Sequence, residues 1–267
     1  MPLIKAGNVN ISYDTFGDGE PLLLIMGFGM SGAGWIPSLP FFGGFKSIYF
    51  DNRGTGLSDK PDSIYTVEGM ADDASNLLKA LGIAKAKVFG VSMGGMIAQE
   101  LTLRHPEQVT KVVLGCTMAG GTTAKMATPD IVERLMTANK IMATDPEKAF
   151  DLLMPALMPA EFVAAHPEIK QMMIAGAKVT PPTPPETADR AFAGIQTFNA
   201  YDRLGQIKCP VLIVHGDKDV LVPTENANLI KSKIPQAEMF IIPGAGHAFQ
   251  ASDPVGIHQR IVSWLRN

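Results

Sequence analysis

In the run Gly90-Val91-Ser92-Met93-Gly94 a serine stands between small residues. That spacing lets a backbone turn sharply and leaves a hydroxyl exposed at the turn. A serine hydroxyl is a weak nucleophile near neutral pH, so chemistry at Ser92 needs a base to take its proton. Five histidines are available. His105 ends the segment after the serine, just before Pro106; His166 lies in a region without strands; His258 sits in the last helical pattern; and His215 closes an apolar run. Each of these four reads as a capping, surface or strand-end residue. His247 differs, because Gly244-Ala245-Gly246-His247 is a flexible loop that follows the last apolar run and can carry an imidazole over the serine.

A base of this kind works best when a carboxylate binds its other ring nitrogen and selects the tautomer. The run Val211 to His215 leads into Gly216-Asp217-Lys218-Asp219, which offers two carboxylates, and the residues alone leave both open. The order Ser, Asp, His is the one expected when the three groups sit on successive strand ends of an α/β sheet. Acyl chemistry also needs two backbone N–H donors aimed at the developing oxyanion. Met93, next to the serine, supplies one; Phe28, in the loop Met26-Gly27-Phe28-Gly29, is placed to supply the other. Gly27 and Met118 are expected to line the substrate pocket beside them.

The elements around these residues alternate. Pro21 to Met26, Ser47 to Phe50, Lys87 to Val91, Lys111 to Cys116, Pro210 to His215 and Glu238 to Ile242 read as strands, mostly as continuous apolar runs, the pattern of a parallel sheet covered on both faces. Residues 3 to 16 form an opening hairpin with a turn near Gly7-Asn8. Met70, Ala74, Leu77, Leu78 and Leu81 share a helical face, with Thr66 as cap and Gly82 as stop. Asp253 caps a last helix, which has Pro254 in its first turn and an apolar face of Ile257, Ile261, Val262 and Leu265. The fold class is therefore α/β.

Between Met118 and Ala200 the alternation fails. Helical patterns such as Ile131 to Ala143 occur here without a convincing strand, bounded by Gly120-Gly121-Thr122-Thr123 and Pro181-Pro182-Thr183-Pro184-Pro185. This predicts a helical lid over residues 118–200 inserted into a core of 1–117 and 201–267. Eight methionines (118, 126, 136, 142, 154, 158, 172, 173) fall within it, suited either to an adaptable apolar surface or to packing the insertion's own small core. The proline run reads as a stiff surface connector.

At 267 residues, 46% hydrophobic and 18% charged, the chain has the balance of one packed globule. A formal charge of −3 gives no attraction to phosphate backbones or anionic lipid, so neither nucleic acid nor membrane is an expected partner. No segment resembles a secretory signal or is long enough to span a bilayer, which makes the cytoplasm the expected location. Cys116 and Cys209 fall at opposite ends of the predicted sheet and are expected to be free, buried side chains; neither has the spacing of a metal site. No metal or cofactor is expected.

With these residues in view, nearly the whole chain resembles the α/β-hydrolase superfamily. Asp51-Asn52-Arg53-Gly54-Thr55-Gly56-Leu57-Ser58 is similar to that family's Asp-x-Arg-Gly-x-Gly-x-Ser loop, and Gly216 to Pro223 is similar to its Gly-x-x-Asp-x-x-x-Pro acid loop. The second resemblance selects Asp219 over Asp217, which is left to brace its turn. The first implies a structural loop in which Arg53 braces its neighbours. Met26-Gly27 departs from the usual His-Gly and resembles the anthracycline methylesterase-like branch, while the Asp-Asn-Arg loop and the Tyr65-Thr66 helix start also look like enol-lactonases. The implied activity is that of a carboxylesterase-type serine hydrolase acting on small to medium apolar esters through an acyl-enzyme. A lactonase or carbon–carbon bond hydrolase would use the same triad, and a hydrolase-fold small-molecule receptor could retain it. Haloperoxidase side activity is disfavoured by the lack of a proline in Gly27 to Met30, and a dehalogenase by its carboxylate nucleophile. Acyl and alcohol specificity and oligomeric state have no motif to encode them.

Overall fold

A computed structural model describes all 267 residues. Eight strands form one sheet: β1 (Leu3–Ala6), β2 (Val9–Phe16), β3 (Glu20–Ile25), β4 (Phe45–Phe50), β5 (Ala86–Val91), β6 (Val109–Gly115), β7 (Val211–Gly216) and β8 (Glu238–Ile242), in the order β1-β2-β4-β3-β5-β6-β7-β8. The opening hairpin β1–β2 pairs antiparallel, with Ala6 opposite Val9 across the Gly7-Asn8 turn, and β2 pairs antiparallel with β4. From β4 through β8 every pairing is parallel. The carboxyl ends of β3, β4, β5, β7 and β8 therefore share one edge of the sheet, the edge from which α/β sheets bind ligands.

The continuous apolar runs are explained by two covered faces. Leu23, Ile25, Val88 and Ile213 face an apolar layer with α1 (Val67–Ala80), α2 (Met93–Arg104) and α8 (Glu225–Lys233). Their neighbours Leu22, Leu24, Phe89, Leu212 and Val214 face a second layer built from the 3-10 segment Gly32–Phe42 and α9 (Pro254–Arg266). Trp35, Leu39, Phe42, Ile257, Ile261 and Leu265 fill that layer, each large side chain contributing about 1.5–3 kcal/mol by its removal from water. Both expected caps are present: the Thr66 hydroxyl accepts from the Gly69 N–H at 3.1 Å, and Asp253 from the Gly256 N–H at 2.9 Å. β8 covers the predicted Glu238 to Ile242, and the other five predicted strands begin or end one or two residues from their expected limits; β4, for example, pairs through the polar Lys46 that interrupts its apolar run.

Between β6 and β7 five helices occur: α3 (Pro129–Ile141), α4 (Pro146–Leu157), α5 (Ala160–Ala165), α6 (Glu168–Ala177) and α7 (Pro185–Thr197). This excursion leaves and returns through a narrow neck, where Gly120 bridges Asn199 and the Ala200 N–H donates to the Ala119 carbonyl at 2.8 Å. It has a small core of its own around Ala138, Ala149, Phe150, Leu153 and Ile174. Its methionines divide: Met142 and Met173 pack against that core, Met118 lies in the larger sheet-side layer, and Met126 and Met172 are exposed. The proline run is not wholly a surface connector, because Thr183 within it is buried against the sheet domain. Both cysteines are free, but Cys209 is only half-buried, since it precedes β7 at the rim of the sheet instead of lying under a helix.

The loop after β4 braces its neighbours as its glycines and arginine imply. Arg53 binds Asp73 of α1 through Nε and Nη2, both at 2.6 Å, and both side chains are largely buried. Burial holds the Asp73 carboxyl above its ordinary range even with Arg53 against it. Arg53→Met leaves that carboxyl without its partner and is expected to cost about 3 kcal/mol, a Tm loss of roughly 5–10 °C by calorimetry, with Arg53→Met/Asp73→Leu recovering most of it.

Candidate active site

The turn from β5 into α2 is a tight elbow with Ser92 at its apex. Ser92 has φ 56° and ψ −123°, a left-handed conformation that a residue with a side chain adopts only under constraint. The constraint is visible on every side. The Ser92 N–H donates to the Gly115 carbonyl at 2.8 Å, its carbonyl accepts from the Thr117 hydroxyl at 2.7 Å, and the Gly95 and Met96 N–H groups bind that carbonyl as α2 begins. A Cβ at Gly94 would overlap the Ile25 carbonyl oxygen, and one at Gly95 would lie 2.6 Å from Thr117 Cβ. Only glycines let the elbow press so closely on the ends of β3 and β6.

This close approach brings the loop after β3 alongside the serine. A Cβ at Gly27 would lie 3.1 Å from Ser92 Cβ and 3.7 Å from Ser92 Oγ. Neither the Phe28 nor the Met93 backbone N–H is engaged by a protein acceptor, and both lie in the segments beside the serine. The Met93 N–H also opens α2, where the helix dipole favours negative charge. Met26, where a histidine was the familiar residue, turns its side chain into the apolar layer with Trp35, while its carbonyl accepts from Asn52 Nδ2 at 3.1 Å. Asp51 closes the other end of the loop, accepting from the Ser31 hydroxyl and from the Gly32 and Leu57 N–H groups at 2.6–2.9 Å. Phe28 packs edge-on against Phe192 of α7, centroids 6.1 Å apart. Met118 is buried with Met93, Met96 and Phe198, its carbonyl accepting from Gln99.

On the same edge, Asp219 and His247 meet. His247 Nδ1 lies 2.8 Å from Asp219 Oδ2, and the other carboxylate oxygen accepts from the Leu221 and Val222 N–H groups at 2.9 and 2.8 Å. Asp217 faces away: its carboxylate accepts from the Gly244 N–H at 2.7 Å and braces the turn leading to His247. Burial raises the Asp219 carboxyl, but the charge of His247 and the bonds from both histidines outweigh it and bring the pKa down to about 2. Burial likewise disfavours the His247 cation, yet the Asp219 charge, with the Cys116 thiol beside it, leaves its pKa well above the ordinary imidazole value. Such a pair holds the histidine in the tautomer that leaves Nε2 free to accept a proton.

The remaining histidines do other work. His105 binds Asp72, His166 sits on the surface beside Glu168, and His258 is buried in a stack on Phe41. His215 is the exception, since it is fully buried with Nε2 3.2 Å from Asp219 Oδ2, a contact its strand-end position did not reveal. Thr117 and Thr183 were also missed; the Thr183 hydroxyl donates to the Gly29 carbonyl at 2.9 Å. A cavity of about 870 Å³ between α4, α5 and the loop after β7 is lined by Met158, Glu161 and Lys218, and by neither Ser92 nor His247. Asp219 itself borders it.

A family model described as the alpha/beta hydrolase fold matches residues 20–254. The chain belongs to the α/β-hydrolase family. Within this family, the "Putative carbamate hydrolase RutD" of Azorhizobium caulinodans is 30% identical over 266 residues, covering 95% of this chain and 94% of its own. Among solved structures, Est816, described as an N-acyl homoserine lactone degrading enzyme, is 31% identical with a TM-score of 0.77, covering 97% of this chain and 98% of its own. The enol-lactonase of Burkholderia xenovorans LB400 superposes over the full length of both chains with a TM-score of 0.85 at 22% identity, a likeness of fold. The resemblance to this α/β-hydrolase fold inferred from the elbow and the two loops is thereby established, and no helix is long and apolar enough to cross a membrane.

The electrostatics of the pair are open to direct measurement. Because Asp219 is the main influence raising the His247 pKa against its burial, Asp219→Asn is expected to bring the His247 titration, followed by NMR, down. An unchanged titration would mean that the two side chains do not pair in solution.

Proposed function

We propose that this protein is a serine hydrolase of carboxylic esters, with Ser92 as nucleophile, His247 as general base and Asp219 as its orienting acid. The observation that carries this reading is the Asp219–His247 pair on the same sheet edge as a serine held in a strained elbow. In the proposed cycle Ser92 Oγ attacks the ester carbonyl as its proton passes to His247 Nε2. The oxyanion is received by the Phe28 and Met93 N–H groups, each worth on the order of 10²–10³ in turnover. His247 returns the proton to the leaving alcohol, and a water that it then deprotonates releases the acid from Ser92.

The helices of 118–200 act in this reading as a lid on the core of 1–117 and 201–267, with Gly27 and Met118 toward the acyl pocket and small to medium apolar substrates preferred. The paired rings of Phe28 and Phe192 and the methionine content of the excursion support an apolar pocket. The likeness to Est816 favours extending the substrate class to lactones. A lactone is a cyclic ester, and the same steps open it to a single hydroxy acid because the leaving alkoxide stays tethered. A carbamate, the substrate in the name of the Azorhizobium relative, would ask His247 to protonate a nitrogen leaving group instead.

A matched panel of p-nitrophenyl acetate and butyrate, acyl homoserine lactones and a simple carbamate separates these substrates. Wild type is expected to turn over the esters and lactones, and Ser92→Ala to lose on the order of 10⁴–10⁶ of that rate. Equal activity of the two proteins would overturn the nucleophile. The pH dependence has a definite sign. A general base must be neutral, and the His247 pKa is raised, so kcat/KM should fall on acidification through a pH above the ordinary imidazole value near 6.5, a limb read from initial rates between pH 5 and 9.

A further inference from the structure

His215 is the penultimate residue of β7, fully buried, four residues before Asp219. Its Nε2 lies 2.8 Å from the Val222 carbonyl oxygen. A carbonyl oxygen only accepts, so this ring nitrogen carries the hydrogen. The other, Nδ1, is buried with no partner, as a ring nitrogen holding only a lone pair can be; a hydrogen there would be an unpaired buried donor. The Nε2–H bond thus points across the loop from its first residue to Val222, and passes Asp219 Oδ2 at 3.2 Å. Val222 in turn donates its own N–H to Asp219 Oδ1 at 2.8 Å.

We propose that His215 is a positioning residue that closes the acid loop on Val222 and holds the Asp219 carboxylate in the plane from which it binds His247. The ring does so from both sides of the carboxylate. It anchors the residue that grips Oδ1, and its N–H edge lies beside the oxygen that receives His247. Without this ring, Asp219 would keep its loop but lose the anchor on Val222, and its oxygens could rotate about the last side-chain bond. His247 would then be held in a broader range of orientations, and misplacement of a base by about 1 Å costs up to about 10² in rate.

The ring also touches the charge balance. A donor beside Oδ2 stabilises the carboxylate and tempers its hold on the His247 proton. The titratable groups that face the pair are His215 from β7 and Cys116 just after β6. Asp217 and Lys218 on the acid loop and Glu161 of α5 are exposed and line the groove behind it. Removing the N–H therefore leaves a more basic carboxylate, and the acid limb of the pH profile moves upward.

The inference rests on the triad reading, and the test separates the two. His215→Phe, which keeps a ring but no donor, is expected to fold, to lose about tenfold to hundredfold in kcat at unchanged KM, and to shift the acid limb of kcat/KM up. His215→Gln, whose amide reaches the same point, is expected to restore most of the rate and the limb. Equal losses in both variants with an unmoved limb would reduce His215 to a filler of the core and overturn the proposal. Should His215→Phe fail to fold, ¹⁵N NMR of the wild-type imidazoles decides: a hydrogen on Nε2 of His215, shifted by Asp219→Asn, supports the contact, and a hydrogen on Nδ1 removes it. That measurement needs no turnover, so a protein inert toward every ester would sink the triad reading without touching this result.

Discussion

Ser92 holds a conformation that costs of order 1–3 kcal/mol, and the surrounding backbone must over-determine it for the turn to persist. The means are short-range and mutual. The strand before it, the helix after it, the Gly115 carbonyl and the Thr117 hydroxyl all bind the one residue, while Gly94 and Gly95 let neighbouring backbone come within contact. A larger residue at either glycine would lift the elbow from β3 and β6, and with it the serine from the loop at Gly27. The parallel sheet makes that tightness useful, because the ends of β3, β5, β7 and β8 emerge side by side and no long connection is needed to join the groups they carry.

The same economy explains which parts could be read from the residues. The elbow and the loop of His247 are local patterns: a few small residues after an apolar run are enough to bring a functional side chain to a strand end. The loop at Gly27 was also legible as a neighbour of the serine, since its approach depends on a glycine and not on the familiar histidine that Met26 replaces. Asp217 and Asp219, two residues apart on one turn, are different. Nothing in their spacing says which faces His247 and which the Gly244 N–H, and only the resemblance of the whole loop separated them.

His215, Thr117 and Thr183 escaped because their roles depend on chain segments that meet only after folding. His215 acts through a loop that bends back seven residues to Val222, and its apolar neighbours in β7 make it look like any strand-end residue. Thr183 sits in a proline run that reads as surface, yet its hydroxyl reaches Gly29, 154 residues away in the chain. The start of β4 was missed for a simpler reason: a ladder of backbone hydrogen bonds extends through the polar Lys46, which a hydrophobic pattern excludes.

These long-range contacts also constrain how the helical excursion can behave. Two of its hydrogen bonds to the sheet-edge loops are well separated. Thr183 binds the Gly29 carbonyl, next to Phe28, and the Leu157 carbonyl at the end of α4 accepts from the Ala248 N–H, next to His247, at 2.9 Å. Gly246 packs on the same turn, against Leu157 and Met158. A rigid swing of all five helices about the neck at Gly120 and Asn199 would break both bonds, with those from Thr187 to Gly54 and from Arg190 to Pro61, and release the loops that hold Phe28 and His247. Ser92 is itself partly exposed with these bonds intact, so reaching it does not require that they break. In the proposed hydrolase these bonds would couple the turns beside Phe28 and His247 to the helices of the excursion, so that a change in one is felt in the other.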